Sequence, residues 1–246
     1  MESGDGGGWD ADILSVMDEA ERLMFQAWAS MPPYRRKVAQ AQSIIKEALE
    51  IAPAYVACSW GKDSTVLLHL CQSIQSDIPV VSFGHPERAL MGYQSVIDAY
   101  CHRHHPNLET IELEGDHVPD KLKQSKLWER YPVAIVGVRK EESKARSIAV
   151  TKYGLTYQFT TGDRSGSWRC FPLGYWGWKD VWAYIVSNDL PYLDAYNHQP
   201  WDRGRTTDHL SKATSKRWQR TRLEGFATIA PEYYAYLREN YPEMFN

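Results

Sequence analysis

The chain has 246 residues, of which 43% are hydrophobic and 24% are charged. These proportions are typical of a globular protein with a sizeable core, and the length fits one domain with an appendage. A formal net charge of -3 argues against nucleic acid wrapping the whole surface, and no apolar run is long enough to cross a bilayer.

The first residues, MESGDGGGWDAD, are acidic and rich in glycine. They lack the basic start and the apolar stretch of a secretory signal peptide, so we expect a flexible leader, a cytoplasmic protein and no membrane association. The four cysteines are Cys58, Cys71, Cys101 and Cys170, and none of them forms a C-x-x-C pair. We therefore expect no iron–sulfur cluster.

The first 58 residues predict two helices and then a strand. Apolar residues fit a helical stripe loosely over residues 12–29 and more regularly over residues 34–51. Pro53 ends the second helix, and residues 55–58 predict a strand. We expect residues 1–52 to form a leader and helices that pack on the core domain.

From residue 55 to residue 150, predicted strands alternate with predicted helices. The strands cover residues 55–58, 78–83, 108–113 and 131–138, and the helices cover residues 65–73, 87–101, 119–130 and 141–150. This alternation favours right-handed crossovers and a doubly wound α/β fold with a mainly parallel sheet. Beyond residue 153 the pattern is irregular, apart from a helix at residues 179–187. We expect an irregular aromatic and basic C-terminal subdomain over the carboxyl edge of the sheet, where ligands bind.

A polar loop follows the first predicted strand. It reads Ser59-Trp60-Gly61-Lys62-Asp63-Ser64 and leads into a helix. A helix N-terminus carries unpaired N–H groups and a partial positive charge, so small polar residues and a lysine at this place predict a phosphate site. The loop is not a Walker A motif, because Val56 stands where that motif needs a glycine. The alternative is an ordinary helix N-cap supplied by Asp63 or Ser64.

The same loop resembles the S-G-G-K-D-S signature of the PP-loop ATP pyrophosphatases, with Trp60 in place of the first glycine. The resemblance implies a loop that grips the β,γ-pyrophosphate of ATP. The implied phosphate-binding residues are Ser59, Trp60, Gly61, Lys62, Asp63 and Ser64. Lys62 and Asp63 are the implied catalytic residues, and Asp63 is a candidate Mg²⁺ ligand. The Trp60 ring either stacks on the adenine or packs beneath a lid.

A second segment, GVRKEESKAR at residues 137–146, resembles the G-x-R-x-x-E-S-x-x-R motif of the 3′-phosphoadenylyl sulfate (PAPS) reductase branch. Gly137 lets the backbone approach a ligand, and Arg139 offers a planar fork to phosphate or sulfate. Glu142 and Arg146 are four residues apart on a helix and can pair. We expect Gly137 at the nucleotide, a catalytic Arg139, and Glu142 and Arg146 at the substrate. The alternative is a solvated helix with exposed salt bridges.

A third segment, at residues 169–192, resembles the P-L-x-x-W-x-x-x-D-V-W-x-Y-I…L-P-Y block of the same family. We expect this block to be mainly structural, with Trp182 and Ile185 packing its helix onto the sheet. The three motifs occur in family order. They imply an adenine nucleotide alpha hydrolase-like domain over residues 53–200.

Two departures from the family bear on the reaction. The reductases attack the sulfonucleotide with a cysteine in an E-C-G-[IL]-H motif near the C-terminus, whereas no cysteine follows Cys170 in this sequence. We expect Cys170 to be a packed thiol and not a nucleophile. The family's D-T-G after the second strand is replaced by Ser82-Phe83-Gly84. Phe83 and Gly84 are the residues expected beside the nucleotide.

These features lead to three hypotheses. The first is an enzyme that cleaves ATP between the α and β phosphates to adenylylate an acceptor in sulfur metabolism or nucleic-acid modification, with Mg²⁺ offsetting the charge of the leaving group. The second is a phosphoadenylyl-sulfate reductase with a non-standard thiol or a thiol from a partner protein subunit. The third is a nucleotide-dependent nucleic-acid-binding or regulatory protein without turnover.

We expect residues 201–246 to form a basic C-terminal tail or lid. Over residues 201–222 a cluster of cations is interleaved with Trp201 and Trp218, and its members are Arg203, Arg205, Lys212, Lys216, Arg217, Arg220 and Arg222. Interleaved cations and aromatic rings suit a nucleotide phosphate or a nucleic acid. The alternative is a solvated, partly disordered basic surface.

Overall fold

The computed structural model describes residues 17–84, 90–112, 118–197 and 216–245. The helices are α1 (Glu19–Ser30), α2 (Pro32–Ile51), α3 (Lys62–Gln72), α4 (Tyr93–His104), α5 (Val118–Ser125), α6 (Leu127–Arg130), α7 (Lys144–Tyr153), α8 (Trp178–Ser187), α9 (Lys216–Ile229) and α10 (Pro231–Asn240). The strands are β1 (Ala54–Ala57), β2 (Pro79–Phe83), β3 (Asn107–Ile111), β4 (Val133–Val136), β5 (Thr156–Gln158) and β6 (Trp168–Cys170). In these ranges no helix is long and apolar enough to cross a membrane.

The strands form one six-stranded sheet in the order β3-β2-β1-β4-β6-β5. β1 pairs in parallel with both β2 and β4, while β5 at the edge runs antiparallel to β6. The chain runs from β1 outward to β3 and then crosses back to β4 on the other side of β1. This topology confirms the predicted doubly wound, mainly parallel sheet. Its order reverses between β1 and β4, the place where open α/β sheets bind ligands.

The two faces of the sheet are covered differently. Val56 and Ile135 belong to the main apolar cluster, which also contains residues of α2, α3 and α8. Tyr55, Val81 and Leu127 form a smaller cluster. Because successive side chains of a strand point to opposite faces, Tyr55 and Val56 mark the two sides of β1. The smaller cluster therefore forms a second apolar layer on the opposite face of the sheet, where Leu127 of α6 packs.

A buried carboxylate attaches the N-terminal helices to this core. Asp180, near the start of α8, is only 2% exposed. One of its oxygens accepts a hydrogen bond from Trp28 Nε1 of α1 at 2.9 Å. The other accepts from Lys37 Nζ of α2 at 2.5 Å and from the Gly177 backbone N–H at 2.7 Å. Asp180 thus caps its own helix and joins α1 and α2 to it.

The third sequence block has the structural character that we expected. Trp182 and Ile185 of α8 are fully buried. The Trp182 ring contacts Tyr192 edge-on, with ring centroids 4.9 Å apart, and Phe25 of α1 at 6.2 Å. Aromatic pairs at such distances add to the stabilisation from buried area. α8 is therefore the central helix of the main cluster.

Several predicted helix limits were wrong. α3 begins at Lys62, inside the polar loop, and not at Thr65. The helix expected at residues 119–130 is divided into α5 and α6 by Lys126, which has a φ of 47°. The helix expected at residues 141–150 begins as a 3-10 turn at Lys140–Glu142 and continues as α7. Sequence periodicity does not detect such single-residue breaks. Residues 1–16 and 85–89, where two other helices were expected to begin, lie outside the described residues.

The expectation of an irregular chain beyond residue 153 was wrong for the part that the structure describes. β5 and β6 extend the sheet, and α9 and α10 form a helical pair. Phe226 and Tyr233 of this pair contact edge-on at 4.9 Å and belong to the main apolar cluster. Strands of three residues are too short to show an alternating pattern, so hydrophobic periodicity does not predict them.

We expect Asp180→Ala to lower the free energy of unfolding by about 2–4 kcal/mol, because it leaves the half-buried Trp28 indole, the Gly177 amide and the Lys37 ammonium without their acceptor. Glu129→Ala is the matched control. It removes an exposed carboxylate 3.6 Å from Lys126 Nζ and should cost at most about 1 kcal/mol. Urea unfolding followed by circular dichroism measures both. Equal losses in the two variants would contradict the role assigned to Asp180.

Candidate functional site

Two loops meet at the carboxyl edge of the central strands. One follows β1 and leads into α3, and the other follows β4. The strands are paired in register up to Ala57 and Val136, so the loops begin side by side. A Cβ atom on Gly137 would lie 3.1 Å from the carbonyl oxygen of Asp63 and 3.2 Å from the amide nitrogen of Ser64. Gly137 therefore lets β4 approach the backbone of α3, whereas the sequence suggested a close approach to a ligand.

The Trp60 side chain lies in the core. Its backbone φ of 61° falls in the left-handed region that glycine usually occupies. The ring is 4% exposed and meets Tyr100 edge-on, with centroids 5.8 Å apart. Burying a large apolar side chain contributes roughly 1.5–3 kcal/mol, which offsets a left-handed cost of about 1–2 kcal/mol. Of the two roles considered for Trp60, the structure supports packing. The ring lies in the core, and only the backbone of Trp60 contributes to the loop.

Ser64 holds the loop in a compact shape. Its hydroxyl accepts from the Ser59 backbone N–H at 3.2 Å and donates to the Gly61 carbonyl at 3.0 Å. Gly61 is the N-cap residue of α3, and it has no side chain that could cap the helix. The alternative of a cap by Asp63 or Ser64 is therefore wrong. Ser59 is exposed and Gly61 is half-buried, so the outer surface of the loop is backbone and one hydroxyl.

A buried ion cluster lies behind the loop. Arg139 Nε donates to one oxygen of Asp63 at 2.6 Å, and Lys62 Nζ donates to the other at 3.1 Å. The side chains of Lys62 and Arg139 are 0% exposed. Burial by itself raises the pKa of Asp63, but the charges of Lys62 and Arg139 outweigh it and hold that pKa below its ordinary value. The carboxylate is therefore the charged centre that joins the two loops.

Arg139 makes further contacts that fix the second loop. Its backbone N–H donates to the Glu142 carboxylate at 2.8 Å, and its Nη1 pairs with the half-exposed Glu141. Burial lowers the pKa of Arg139, but the charges of Asp63, Glu142 and Glu141 outweigh it and raise that pKa. Glu142 also pairs with Arg146, as the sequence predicted. In the structure, Glu142 and Arg146 thus brace the loop that carries Arg139.

One nitrogen of this cluster is left over. Arg139 Nη2 is shielded from solvent and has no hydrogen-bond partner among the described residues. Burying a guanidinium donor without an acceptor costs free energy. Donors of this kind are often found at sites where a protein binds an anion. This atom could donate a hydrogen bond to a phosphate or sulfate oxygen without breaking an existing contact.

Sequence reasoning missed two residues that contact the cluster. The ring of Tyr196 lies over Lys62, with the ammonium 5.0 Å from its centroid. Glu141 pairs with Arg139, although only its neighbour Glu142 belongs to the recognised motif. Tyr196 follows the third sequence block, and nothing local to it indicates an approach to Lys62. The richness of that region in Trp and Tyr was the sole signal.

The remaining predicted site residues are brought to the same edge. Phe83 is the last residue of β2, the neighbour of β1, and Gly84 follows it. The Gly84 N–H donates to the Ile111 carbonyl at 3.0 Å. A Cβ on Gly84 would clash with the Glu112 carboxylate, at 2.0 Å. In the basic tail, Arg203, Arg205 and Lys212 lie outside the described residues. The side chains of Lys216, Arg217, Arg220 and Arg222 also lie outside them.

The geometry does not fit Asp63 as the ligand of a resident Mg²⁺ ion. Both of its oxygens already accept from cations, and a metal ion would have to displace Lys62 or Arg139. Nor do the described residues contain three His, Cys, Asp or Glu side chains grouped closely enough to hold a metal. The chemistry of this site is therefore derived from its cations and backbone donors alone.

Comparison with known proteins connects this site to a family. The family model for the phosphoadenosine phosphosulfate reductase domain matches residues 53–234. Adenosine 5'-phosphosulfate reductase of Bacillus mycoides (strain KBAB4) is 30% identical over 152 residues. The protein of the same name from Bacillus cereus (strain B4264) is 29% identical over 155 residues. Each match covers 55% of this chain and 64% of the relative, so less than two thirds of either relative is matched.

A solved structure has a similar fold. Candida glabrata FMN adenylyltransferase, in complex with FAD and inorganic pyrophosphate, aligns with a TM-score of 0.53 and 13% identity. The alignment covers 76% of this chain and 71% of the other. At this identity the similarity supports the adenine nucleotide alpha hydrolase-like fold and nothing finer. The family match spans most of the chain and includes both loops of the ion cluster, and the chain therefore belongs to the PAPS reductase family of PP-loop proteins.

Proposed function

We propose that the protein binds ATP at residues 59–64 and cleaves it between the α and β phosphates to adenylylate an acceptor. The observation that carries this proposal is the buried cluster of Lys62, Asp63 and Arg139 behind a loop whose helix has no side-chain cap. Two cations share the Asp63 carboxylate there, and Arg139 also pairs with the half-exposed Glu141, so the positive potential at the loop comes mainly from Lys62 and the N-terminal dipole of α3. This face lies at the reversal of strand order, where a nucleotide is expected.

In the proposed reaction, an oxygen of the acceptor attacks the α-phosphorus. The bond from that phosphorus to the bridging oxygen breaks, and its electron pair leaves with pyrophosphate. The backbone N–H groups of the first turn of α3 and the dipole of that helix would stabilise the charge on the departing pyrophosphate. Lys62 would add its charge from below the loop, and Arg139 would hold the second loop in place and offer Nη2.

The acceptor would belong to sulfur metabolism or nucleic-acid modification, which are the settings that the family resemblance implies. We propose no step through a protein-bound metal, because both Asp63 oxygens are engaged in ion pairs. Mg²⁺ would enter only as a companion of the nucleotide. Adenylyl sulfonucleotides share the adenosine and α-phosphate of ATP and are the alternative substrates for the same loop.

The second candidate is reduction of a sulfonucleotide, favoured by the names of the Bacillus relatives. This chemistry needs a thiolate. Cys58, Cys71 and Cys170 are buried, and burial raises the pKa of Cys170 to about 11. Burial and the charge of Asp98 also raise the pKa of Cys101. Raised pKa values are the opposite of what a reactive cysteine needs, so a reductase would require a thiol from a partner protein.

Two assays separate the candidates. Purified protein is incubated with ATP and Mg²⁺ in the presence of sulfate or RNA as acceptors of the two proposed classes, and released pyrophosphate is measured. Parallel reactions contain adenylyl sulfate or PAPS with thioredoxin, and released sulfite is measured. Pyrophosphate without sulfite supports ATP cleavage, and sulfite without pyrophosphate supports the reductase. If the protein binds nucleotide and releases neither product, the third hypothesis, a regulatory or nucleic-acid-binding protein without turnover, replaces both.

We expect Lys62→Met to weaken ATP binding roughly ten- to a hundredfold, because it removes a cation while keeping the apolar stem in its buried place. This range corresponds to about 1.5–3 kcal/mol for a charge-assisted contact. Isothermal titration calorimetry with ATP measures the change. Lys46→Met, at an exposed position of α2, is the control and should bind like the unmodified protein. A folded Lys62→Met variant with unchanged affinity would remove the loop from the proposal.

We expect Arg139→Lys to reduce both stability and pyrophosphate release, although the charge is kept. Lysine has one donor group and cannot hold Asp63 and Glu141 as the guanidinium does. The loss of stability should be about 1–3 kcal/mol. Arg103→Lys is the matched control, since Arg103 forms an exposed pair with Asp189 at 3.0 Å. If Arg139→Lys behaves like this control in unfolding and turnover, Arg139 does not position the loop.

A further inference from the structure

A cavity lies at the opposite edge of the sheet from the PP-loop, near the N-terminal ends of the strands. Its volume is about 510 Å³, and its walls include Lys123, Trp128, Phe159, Arg164 and Arg169. Arg169 of β6 is paired with Ala134 of β4, which is paired with Tyr55 of β1. These three paired residues lie near the N-terminal ends of β1, β4 and β6, on the face of the sheet that carries the smaller apolar cluster. The PP-loop, in contrast, follows the carboxyl ends of β1 and β4.

Two arginines of the cavity have no acidic partner among the described residues. Arg164 and Arg169 lie 4.2 Å and 5.4 Å from the centroid of the Phe159 ring. Arg169 Nε is shielded from solvent and has no hydrogen-bond partner in the described part of the chain. Asp163, the carboxylate of the lining, pairs with Lys123 at 3.2 Å. The cavity therefore keeps two half-buried cations beside each other, and no carboxylate of the described residues pairs with either of them.

This arrangement is unfavourable without a ligand. Burial lowers the pKa of Arg164, and the neighbouring charge of Arg169 lowers it further. Like charges that are partly removed from water repel each other, and an anion between them would relieve that repulsion. A phosphate oxygen suits the planar donors of arginine, and it would also satisfy the isolated Arg169 Nε.

The remaining lining is aromatic and apolar. Trp128, Phe159 and Leu122 contribute to the wall, and the volume falls within the range of small-molecule sites. Aromatic side chains beside arginines are a combination that binds a nucleobase together with its phosphate. Inorganic phosphate by itself would leave most of this space empty.

We propose that this cavity binds a nucleoside phosphate, with the phosphate held by Arg164 and Arg169 and the base against Trp128 and Phe159. The ligand is either a free mononucleotide or the terminal nucleotide of a nucleic acid, since both present a phosphate beside a planar ring. The site is separate from the PP-loop. It would serve an acceptor or an effector, and the nucleotide cleaved at the PP-loop would not occupy it.

Photo-crosslinking locates the site directly. The full chain is irradiated with 8-azido-AMP, digested with trypsin and analysed by mass spectrometry. We expect modification of the peptide 153–164, which contains Phe159. In the Arg164→Gln/Arg169→Gln variant trypsin releases residues 153–179 as one peptide, and we expect that longer peptide to be unmodified. Because Lys62→Met leaves this cavity intact, the same crosslink should persist in that variant. Failure of the PP-loop proposal is thereby distinguished from failure of this one.

Calorimetry with AMP and with inorganic phosphate, on the Lys62→Met background, measures affinity at the cavity. Arg164→Gln/Arg169→Gln should weaken both probes at least roughly tenfold. Phe159→Leu should weaken AMP and leave phosphate unchanged. Arg36→Gln, at an exposed position of α2, is the control. If the double variant loses its fold, Arg164→Gln by itself is used, since Arg164 lies in a turn and not in the sheet.

A 5′-phosphorylated single-stranded oligonucleotide distinguishes the two sources. Tighter binding of the oligonucleotide than of AMP, with the same dependence on Arg164 and Arg169, identifies a nucleic-acid end. Equal or weaker binding of the oligonucleotide identifies a mononucleotide. If neither probe depends on these arginines and no crosslink falls in residues 153–164, the proposal is overturned.

Discussion

The ion cluster around Asp63 is the interaction on which the site depends. Asp63 and Lys62 begin α3, and Arg139 follows β4, so one carboxylate joins two segments that are far apart in the chain. Removing charges from water is expensive, and here the cost is offset only because each cation reaches the same carboxylate with good geometry. Gly137 permits this arrangement, since a side chain there would press on the backbone of α3.

This dependence links stability to function. The cluster stores fixed charge behind a loop whose outer surface is mostly backbone, so a bound phosphate would meet an electric field and donors that are already oriented. Such preorganisation is more effective than flexible surface cations, which must be ordered at the moment of binding. Arg139 Nη2 is also held in place before a ligand binds. It is buried without an acceptor among the described residues, and an oxygen of a ligand can supply that acceptor.

The sequence by itself determined the class of the fold and predicted the residues of the candidate site. Alternation of apolar strands and helices depends on local periodicity, which is visible in one sequence, and the doubly wound parallel sheet followed from it. The motifs placed Ser59 to Ser64 and Arg139 at the ends of strands, and the structure brings these segments to one edge. The Glu142–Arg146 pair was also predictable from its spacing of four residues, although Glu142 ends a 3-10 turn and Arg146 lies in α7.

Only the tertiary structure decided the order of the strands, the partners of the buried charges and the role of Trp60. Local patterns do not record which segment packs against which, so they did not reveal that Tyr196 covers Lys62 or that Trp60 meets Tyr100. The same holds for β5, β6 and the α9–α10 pair, whose short or aromatic segments are specified by burial against distant residues. The cavity of Arg164 and Arg169 exists for that reason too, because β6 and the turn before it bring both cations to one ring.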